Sequence, residues 1–570
     1  MKTWNLGNTT VRNPERIKAG LALIKQHFDG KIFDKAAQTE LFDILLEAGV
    51  LSGSEATSDR GASGRKWQSV CNKLGFVQQT KVGRNISIAV TPAGSALLSG
   101  TVLESDLFLR QMLKVQLPSP TEKRLDGAAI HPFYLVLSIA VGLEDQGMKP
   151  LSKEEIALFI QSATRDDMAP QIIDTIKQYR DQRNAVEGRV QKRAFFQDHL
   201  THKVAELWGT VTDQHKKTLV DYSDTTVRYS AITGIFTMGR QSLVIKEDQI
   251  NLAHALVAAG SPALLEGDEF TRVFTDPAIP ALPTDNAGFL EHDIQALTAR
   301  LDQLSQETGA TLENRTDITG ADILRLKRRR QDLEAELIKQ KEVQFYKQQG
   351  NSDQVTDIIN LFESIKNKEI IGGSDYLPAW AEWGVWRVFL SINTITNPIS
   401  DTRGFKINTE LYPIHHAKGG AEDLRFEYSD NTLIPAEITL NTGERQYAAE
   451  REPVRNHVLK LIENRPDVNV VGVFVAPVIQ PRTAHDFFSV YTSGDYSQRL
   501  GRAVSLDILP LTIEQLCQFL PGQSRGCCNY GELRGRINEL LAYREHCSDG
   551  SQWLTSIDQY FAEGTTAPSL

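Results

Sequence analysis

Hydrophobic positions in the first part of the chain recur with helical spacing and then switch to alternation. In RKWQSVCNKLGFV, the residues Trp67, Val70, Cys71 and Leu74 fall three or four apart and predict one buried helical face. Gly75 predicts the helix stop, and FVQQTKVGRNISIAV alternates as a hairpin with Gly83 and Arg84 at its tip. TPAGSALL predicts the next helix, with Pro92 in its first turn. The same order recurs in TTVRYSAITGIFTMGRQSLVIKEDQINLAHAL, with Gly234, Phe236 and a second Gly-Arg pair at Gly239-Arg240. LSKEEIALFI and MAPQIIDTIKQYRDQR lie between the two copies and predict amphipathic helices. Prolines crowd at Pro277, Pro280 and Pro283 and mark a boundary. FLEHDIQALTARLDQLSQETG and ITGADILRLKRRRQDLEAELIKQKEVQFYKQQ follow as charged helices with leucines near heptad spacing. Past residue 351 strands alternate with helices. LRFEY and LIPAEITL predict strands, EPVRNHVLKLIENR a helix with Pro453 in its first turn, and VNVVGVFVAPVI a strand buried on both faces. SLDILPLTIEQLCQFL predicts a further strand passing into a helix at Pro510.

These patterns predict a multi-domain α+β protein. Residues 1–275 form a first region, with helix–hairpin units near 35–100 and 205–258 and a helical module between them. Residues 276–350 form a helical linker, and residues 351–570 an α/β domain with a mixed sheet. The 570 residues suffice for several cores, and a charged fraction of 24% with 41% hydrophobic residues is globular. The longest apolar runs fall short of the ~18–20 residues of a membrane span. Five cysteines without a CxxC pair predict free thiols rather than a zinc site or disulfides. The expectation is a soluble cytoplasmic protein with no membrane partner.

Charge sharpens the reading of the first unit. The whole chain carries −10, yet Arg60–Val102 holds Arg60, Arg65, Lys66, Lys73, Lys81 and Arg84 and no acid. A helix followed by a basic hairpin is winged-helix-like. In that arrangement the helix enters the major groove and the hairpin lies along phosphates. Double-stranded DNA is the expected partner. Arg65, Lys66 and Lys73 are the candidates on the helix, Lys81 and Arg84 on the hairpin, and Arg228 and Arg240 in the second unit. The second unit also carries Glu247 and Asp248, so a protein contact is as well supported there.

The C-terminal region contains acids in costly places. Glu437 interrupts the apolar strand Pro435-Ala436-Glu437-Ile438, and Asp423 opens the preceding strand. A carboxylate among apolar strand residues requires a partner or a metal. Two such acids joined by a hairpin can converge with the Ile438 carbonyl on Mg²⁺, an oxygen-seeking ion that polarises a phosphodiester. Glu450 and His457 are seven apart and share a face if the helix begins early enough; Glu382 sits in the aromatic stretch PAWAEWGVWRVF.

The opening WNLGNTTVRNPERI, the proline-marked connector and the ordered set Glu382, Asp423, Glu437-Ile438, Glu450 and His457 resemble the AlwI family of type IIS restriction endonucleases over essentially the whole chain. The resemblance implies an N-terminal DNA-recognition half and a C-terminal restriction-endonuclease-like domain of the PD-(D/E)XK type. Asp423 and Glu437 then match the metal-binding acids, with the main-chain oxygen of Ile438. Glu382, Glu450 and His457 match the remaining active-site residues. It further implies cleavage a few base pairs outside a short asymmetric site, transient homodimers for double-strand cuts, and a cognate DNA methyltransferase in the host. One departure stands out: the Lys of the superfamily's acidic-x-Lys triplet is Thr439 here. The alternatives are a strand-specific nicking enzyme of the same family, a non-catalytic DNA-binding regulator, and a nuclease acting on other nucleic acids.

Overall fold

The first unit of the fold follows from helix caps and one close helix crossing. The computed structural model describes residues 3–563 apart from 52–58, 121–126, 240–241, 310–319, 369–376, 393, 408–410 and 418–419. The chain opens with α1 (Ile17–Phe28), β1 (Lys31–Ile32), α2 (Lys35–Glu47), α3 (Arg60–Lys73), β2 (Val77–Val82), β3 (Asn85–Val90) and α4 (Pro92–Ser99). Asp34 and Asp59 cap α2 and α3 by accepting from the N–H of Ala37 and Ala62, and Thr91 caps α4 ahead of Pro92. Between β2 and β3 the chain reverses through Gly83 and Arg84, with Gly83 at φ 62°, a left-handed backbone that suits a two-residue hairpin loop. Trp67, Val70, Cys71 and Leu74 are all buried.

Helix α3 packs on α2 through a glycine. A Cβ at Gly64 would stand 1.8 Å from the carbonyl oxygen of Gln38, a backbone atom that cannot swing aside. Gly64→Ala is therefore expected to force the two helices apart and cost about 3 kcal/mol or more. In thermal unfolding the transition of this unit should fall by roughly 6–12 °C. An unchanged transition would show that the crossing is looser than described.

The second half of the unit repeats the plan. After α5 (Glu104–Lys114) come α6 (Pro132–Asp145), β4 (Leu151–Ser152) and the single turn α7 (Lys153–Glu155), which widens into a π turn at Ile156–Ile160. Two inserted helices, α8 (Ala169–Asn184) and α9 (Arg189–Trp208), precede α10 (Asp213–Ala231), the hairpin β5 (Phe236–Met238) and β6 (Ser242–Ile245), and α11 (Ile250–Ala258). The two small sheets have the orders β1-β3-β2 and β4-β6-β5, so in each the third strand in sequence lies between the other two. LSKEEIALFI is thus a strand end and a π turn rather than one regular amphipathic helix, because Ser152 caps a new turn in a capping box with Glu155. Then follow α12 (Gly267–Thr275), α13 (Ala287–Thr308) and α14 (Ile323–Gln348). Two compact units divide the chain, one of residues 1–295 and 318–331, the other of residues 296–317 and 332–570.

The second unit carries α15 (Ser352–Lys366), α16 (Leu377–Ser391), the pair β7 (Lys406–Ile407) and β8 (Pro413–His415), then β9 (Leu424–Glu427), β10 (Thr432–Ile438), α17 (Gly443–Asn464), β11 (Asn469–Ala476) and α18 (Pro481–Thr492). It continues through the hairpin β12 (Asp495–Ser497) and β13 (Arg502–Val504) and β14 (Asp507–Thr512) to three further helices. Its main sheet has the order β14-β11-β10-β9. β14, β11 and β10 run parallel and β9 antiparallel, so the sheet is mixed and the architecture α+β.

Two prolines behave differently from the sequence expectation. Pro453 lies inside α17, which begins ten residues earlier at Gly443. Both Pro453 and Ala449, whose carbonyl loses its helical partner, are exposed, so water satisfies the freed oxygen. Pro510 lies within β14 rather than at a helix start. β14 is an edge strand of its sheet, where a missing N–H costs no ladder bond. Among the described residues, no helix is long and apolar enough to cross a membrane.

Candidate active site

Strand register places the first two acids opposite each other. In the antiparallel pair of β9 and β10, Ala436 faces Leu424, so the next positions outward are Glu437 and Asp423. Asp423 Oδ2 accepts the Ile438 N–H at 2.8 Å. A strand residue directs its N–H and C=O to the same edge, so the Ile438 carbonyl is turned toward Asp423 as well. The Asp423 backbone is fixed in turn by the Gly404 N–H, 2.8 Å from its carbonyl.

Glu382 arrives from α16, which is buried on nearly every side. Trp386 donates to Thr402 Oγ1 at 2.7 Å, and Arg387 is held by Gln349, Gln354 and Asp357. These bonds fix the helix rotation and so the direction of Glu382, which is 4% exposed and accepts the Ala417 N–H at 2.7 Å. His457 and Glu450 come from α17. His457 Nδ1 lies 2.5 Å from Glu437 Oε1, with both side chains nearly buried. Glu450 Oε1 accepts from Thr439 Oγ1 and from Asn441 Nδ2, each at 2.7 Å.

The electrostatics record acids crowded together away from water. Burial pushes the Glu382 carboxyl up to about 8, and the charge of Glu437 adds to the effect. Asp423 is raised well above the usual carboxylate range, first by burial and then by Glu382 and Glu437. Burial raises Glu437 too, against the pull of His457, and Glu422 and Glu450 raise it further. The hydrogen bond to Glu437 holds His457 above an ordinary imidazole. This donor set fits a divalent cation: hard carboxylate oxygens, a main-chain carbonyl on the same edge, and mutual repulsion that a cation relieves. The acids do not close tightly by themselves. Among the described residues the one group of three whose ligand atoms lie within 4.8 Å of each other is Glu144, Asp145 and His254, largely exposed in the first unit.

All five catalytic candidates thus belong to one linked group around the ends of β9 and β10. Sequence reasoning missed three of its members. Asn441 and Gln446 hold Glu450 and its loop: Gln446 is fully buried and donates to the Asn441 and Val478 carbonyls at 2.9 and 2.8 Å. Glu422, paired with Arg425, adds charge beside Glu437 and His457. A buried Gln one turn before a helical Glu carries no signal in sequence alone.

The DNA-binding candidates separate. Arg65 and Lys66 are exposed on α3, and Lys81 and Arg84 are exposed on the β2–β3 hairpin. Lys73 is turned inward, donating to the carbonyl and side-chain oxygens of Asn5 at 2.8 and 3.0 Å. Arg228 is ion-paired to Asp224, which also binds Lys153. Arg240 lies outside the described residues.

One compact unit holds paired helix–hairpin units, and the other holds a mixed sheet edged with buried acids. Residues 72–519 match the AlwI restriction endonuclease family, and the chain belongs to that family, which makes it a restriction enzyme. Looser likenesses exist among solved structures. One is the small subunit of the heterodimeric restriction endonuclease R.BspD6I, 22% identical, covering 36% of this chain and 98% of that one at a TM-score of 0.28. Another is the BpuJ1 endonuclease binding domain in complex with pyrene- and phenanthrene-modified DNA, 12% identical, covering 46% and 89% at a TM-score of 0.32. The assignment rests on the family match. No curated protein matches the chain.

Proposed function

We propose that the chain is a type IIS enzyme that reads a short asymmetric duplex site with its first unit and hydrolyses phosphodiesters a few base pairs away with its second. The observation that carries this reading is the facing pair Asp423 and Glu437, raised carboxyls beside a main-chain carbonyl and a third buried acid, Glu382. Asp423, Glu437 and the Ile438 carbonyl would hold Mg²⁺, which supplies Lewis acidity toward the phosphate. Glu382 and Glu450 complete the acidic shell. Thr439 carries no charge and is spent on Glu450, so positive charge toward the substrate would come from His457, whose protonated form the hydrogen bond to Glu437 favours. The cleavage domain is of the PD-(D/E)XK type in this reading, with one centre per chain, so a transient homodimer makes double-strand cuts. A cognate methyltransferase protects host sites.

In the first unit α3 and the β2–β3 hairpin form a winged-helix-like reader, with Arg65 and Lys66 toward the groove and Lys81 and Arg84 toward phosphates. The test is to digest a sequenced plasmid and map fragment ends: ends at one fixed offset from one recurring sequence are expected, and ends scattered without a shared sequence would refute the reading. Arg65→Ala with Lys66→Ala should weaken site binding about 10–100-fold and flatten its salt dependence by roughly one to two in log–log slope. Gel shifts at several salt concentrations check this. Unchanged affinity would move the interface elsewhere.

A further inference from the structure

Tyr447, Arg451 and Arg482 form a stack that the acidic centre does not use. Tyr447 and Arg451 are one turn apart on α17 and share a face. Their partner Arg482 comes from the first turn of α18. The two guanidinium groups lie over the Tyr447 ring at 4.4 and 4.2 Å, and Arg451 Nη1 donates to Tyr447 Oη at 2.5 Å. Arg482 pairs with Glu444 at 2.9 Å, but side-chain exposures of 59% and 70% respectively leave that pair open to water and weak. Two like charges against one ring gain little for the fold, and they are presented ready-oriented.

Their position links them to the acids. Arg451 follows Glu450 in sequence. Gln446 ties the loop after β10 to the loop after β11 through the Asn441 and Val478 carbonyls, and accepts the Gln480 N–H at 2.8 Å, two residues before Arg482. The stack therefore stands at the carboxyl ends of two adjacent parallel strands, the place where α/β sheets take ligands. Arg482 also stands in the first turn of α18, whose dipole favours an anion.

We propose that Arg451 and Arg482, splayed by Tyr447, bind a backbone phosphate of the DNA strand being cut, next to the scissile one. This rests on the nuclease reading above. Guanidinium forks match phosphate oxygens in pairs, and a ring that already fixes their planes lowers the ordering needed on binding. Glu444 is the occupant that the phosphate replaces.

The test uses the full chain and a duplex containing its site. For Arg451→Gln with Arg482→Gln, binding in Ca²⁺ should weaken by less than about tenfold, the loss of one phosphate contact, because most contacts belong to the first unit. Single-turnover cleavage in Mg²⁺ should fall about 30–100-fold. Arg451→Lys with Arg482→Lys should recover part of that loss through its point charges. A neutral methylphosphonate at the phosphate flanking the cut should slow wild type about tenfold and the Gln variant hardly at all, a pattern that a merely structural role would not give. Arg482→Gln alone, at an exposed position, gives the same comparison should the double variant fold poorly. Cleavage by the Gln variants within threefold of wild type, or an equal methylphosphonate penalty in both, would overturn the phosphate assignment alone. Wild-type protein that leaves its duplex intact would overturn the nuclease reading and this assignment with it.

Discussion

Asp423→Asn is expected to lower the single-turnover cleavage rate about 1,000-fold or more, equivalent to roughly 4 kcal/mol of barrier. Binding to the same duplex should stay within a few-fold of wild type. The Asn keeps a side-chain oxygen that can accept the Ile438 N–H, as the Asp does at 2.8 Å, so the strand end should keep its place. What disappears is the charge opposite Glu437. Glu437→Gln should act similarly and also release His457, whose raised protonation depends on the 2.5 Å bond to Glu437. Cleavage by both variants near the wild-type rate would remove these acids from the chemistry.

The second large effect concerns stability of the metal-free protein against pH. Glu382 titrates near 8 in the fold against 4.5 when exposed, and Asp423 and Glu437 are raised in the same sense. Between about pH 4.5 and 8 the folded state therefore binds more protons than the unfolded chain, and stability falls as pH rises. His457 acts in the same direction: its favourable contribution is complete below 6.5 and is lost as pH rises through its raised folded value. The loss should be on the order of a few kcal/mol between pH 5 and 8 without metal. Mg²⁺ should reverse most of it, since a ligand that binds only the folded state stabilises it. Glu382→Gln should flatten the metal-free profile. Denaturant midpoints across that range, with chelator and with Mg²⁺, read this out. Metal-free stability that rises with pH would contradict the picture of crowded carboxyls.

Several of these features were legible in the sequence because they depend on near neighbours. The 3–4 spacing of Trp67, Val70, Cys71 and Leu74 and the Gly83 reversal fixed α3 and its hairpin. Glu437 was conspicuous as a lone acid in an apolar strand, and the cross-strand partner Asp423 followed from a short hairpin. Glu382 stood out as an acid in the aromatic stretch PAWAEWGVWRVF, and the family resemblance joined it to Asp423, about forty residues downstream. Long-range partnerships were hidden. Lys73 reads as a free cation on a basic helix, yet Asn5, 68 residues away, claims its ammonium. Arg228 is quenched by Asp224 one turn earlier, a pairing that helical spacing alone permits but does not decide. The proline errors share one cause: exposure of Ala449 and the edge position of β14 are tertiary facts that override local breaker rules.

The most direct measurement is digestion of a sequenced plasmid by the full chain with Mg²⁺ and with chelator, beside Asp423→Ala and Glu437→Ala. Discrete fragments that require Mg²⁺ and vanish in both variants are expected. Intact plasmid under conditions where a gel shift shows site-specific binding, or fragments that persist in both variants, would contradict a nuclease centre built on Asp423 and Glu437.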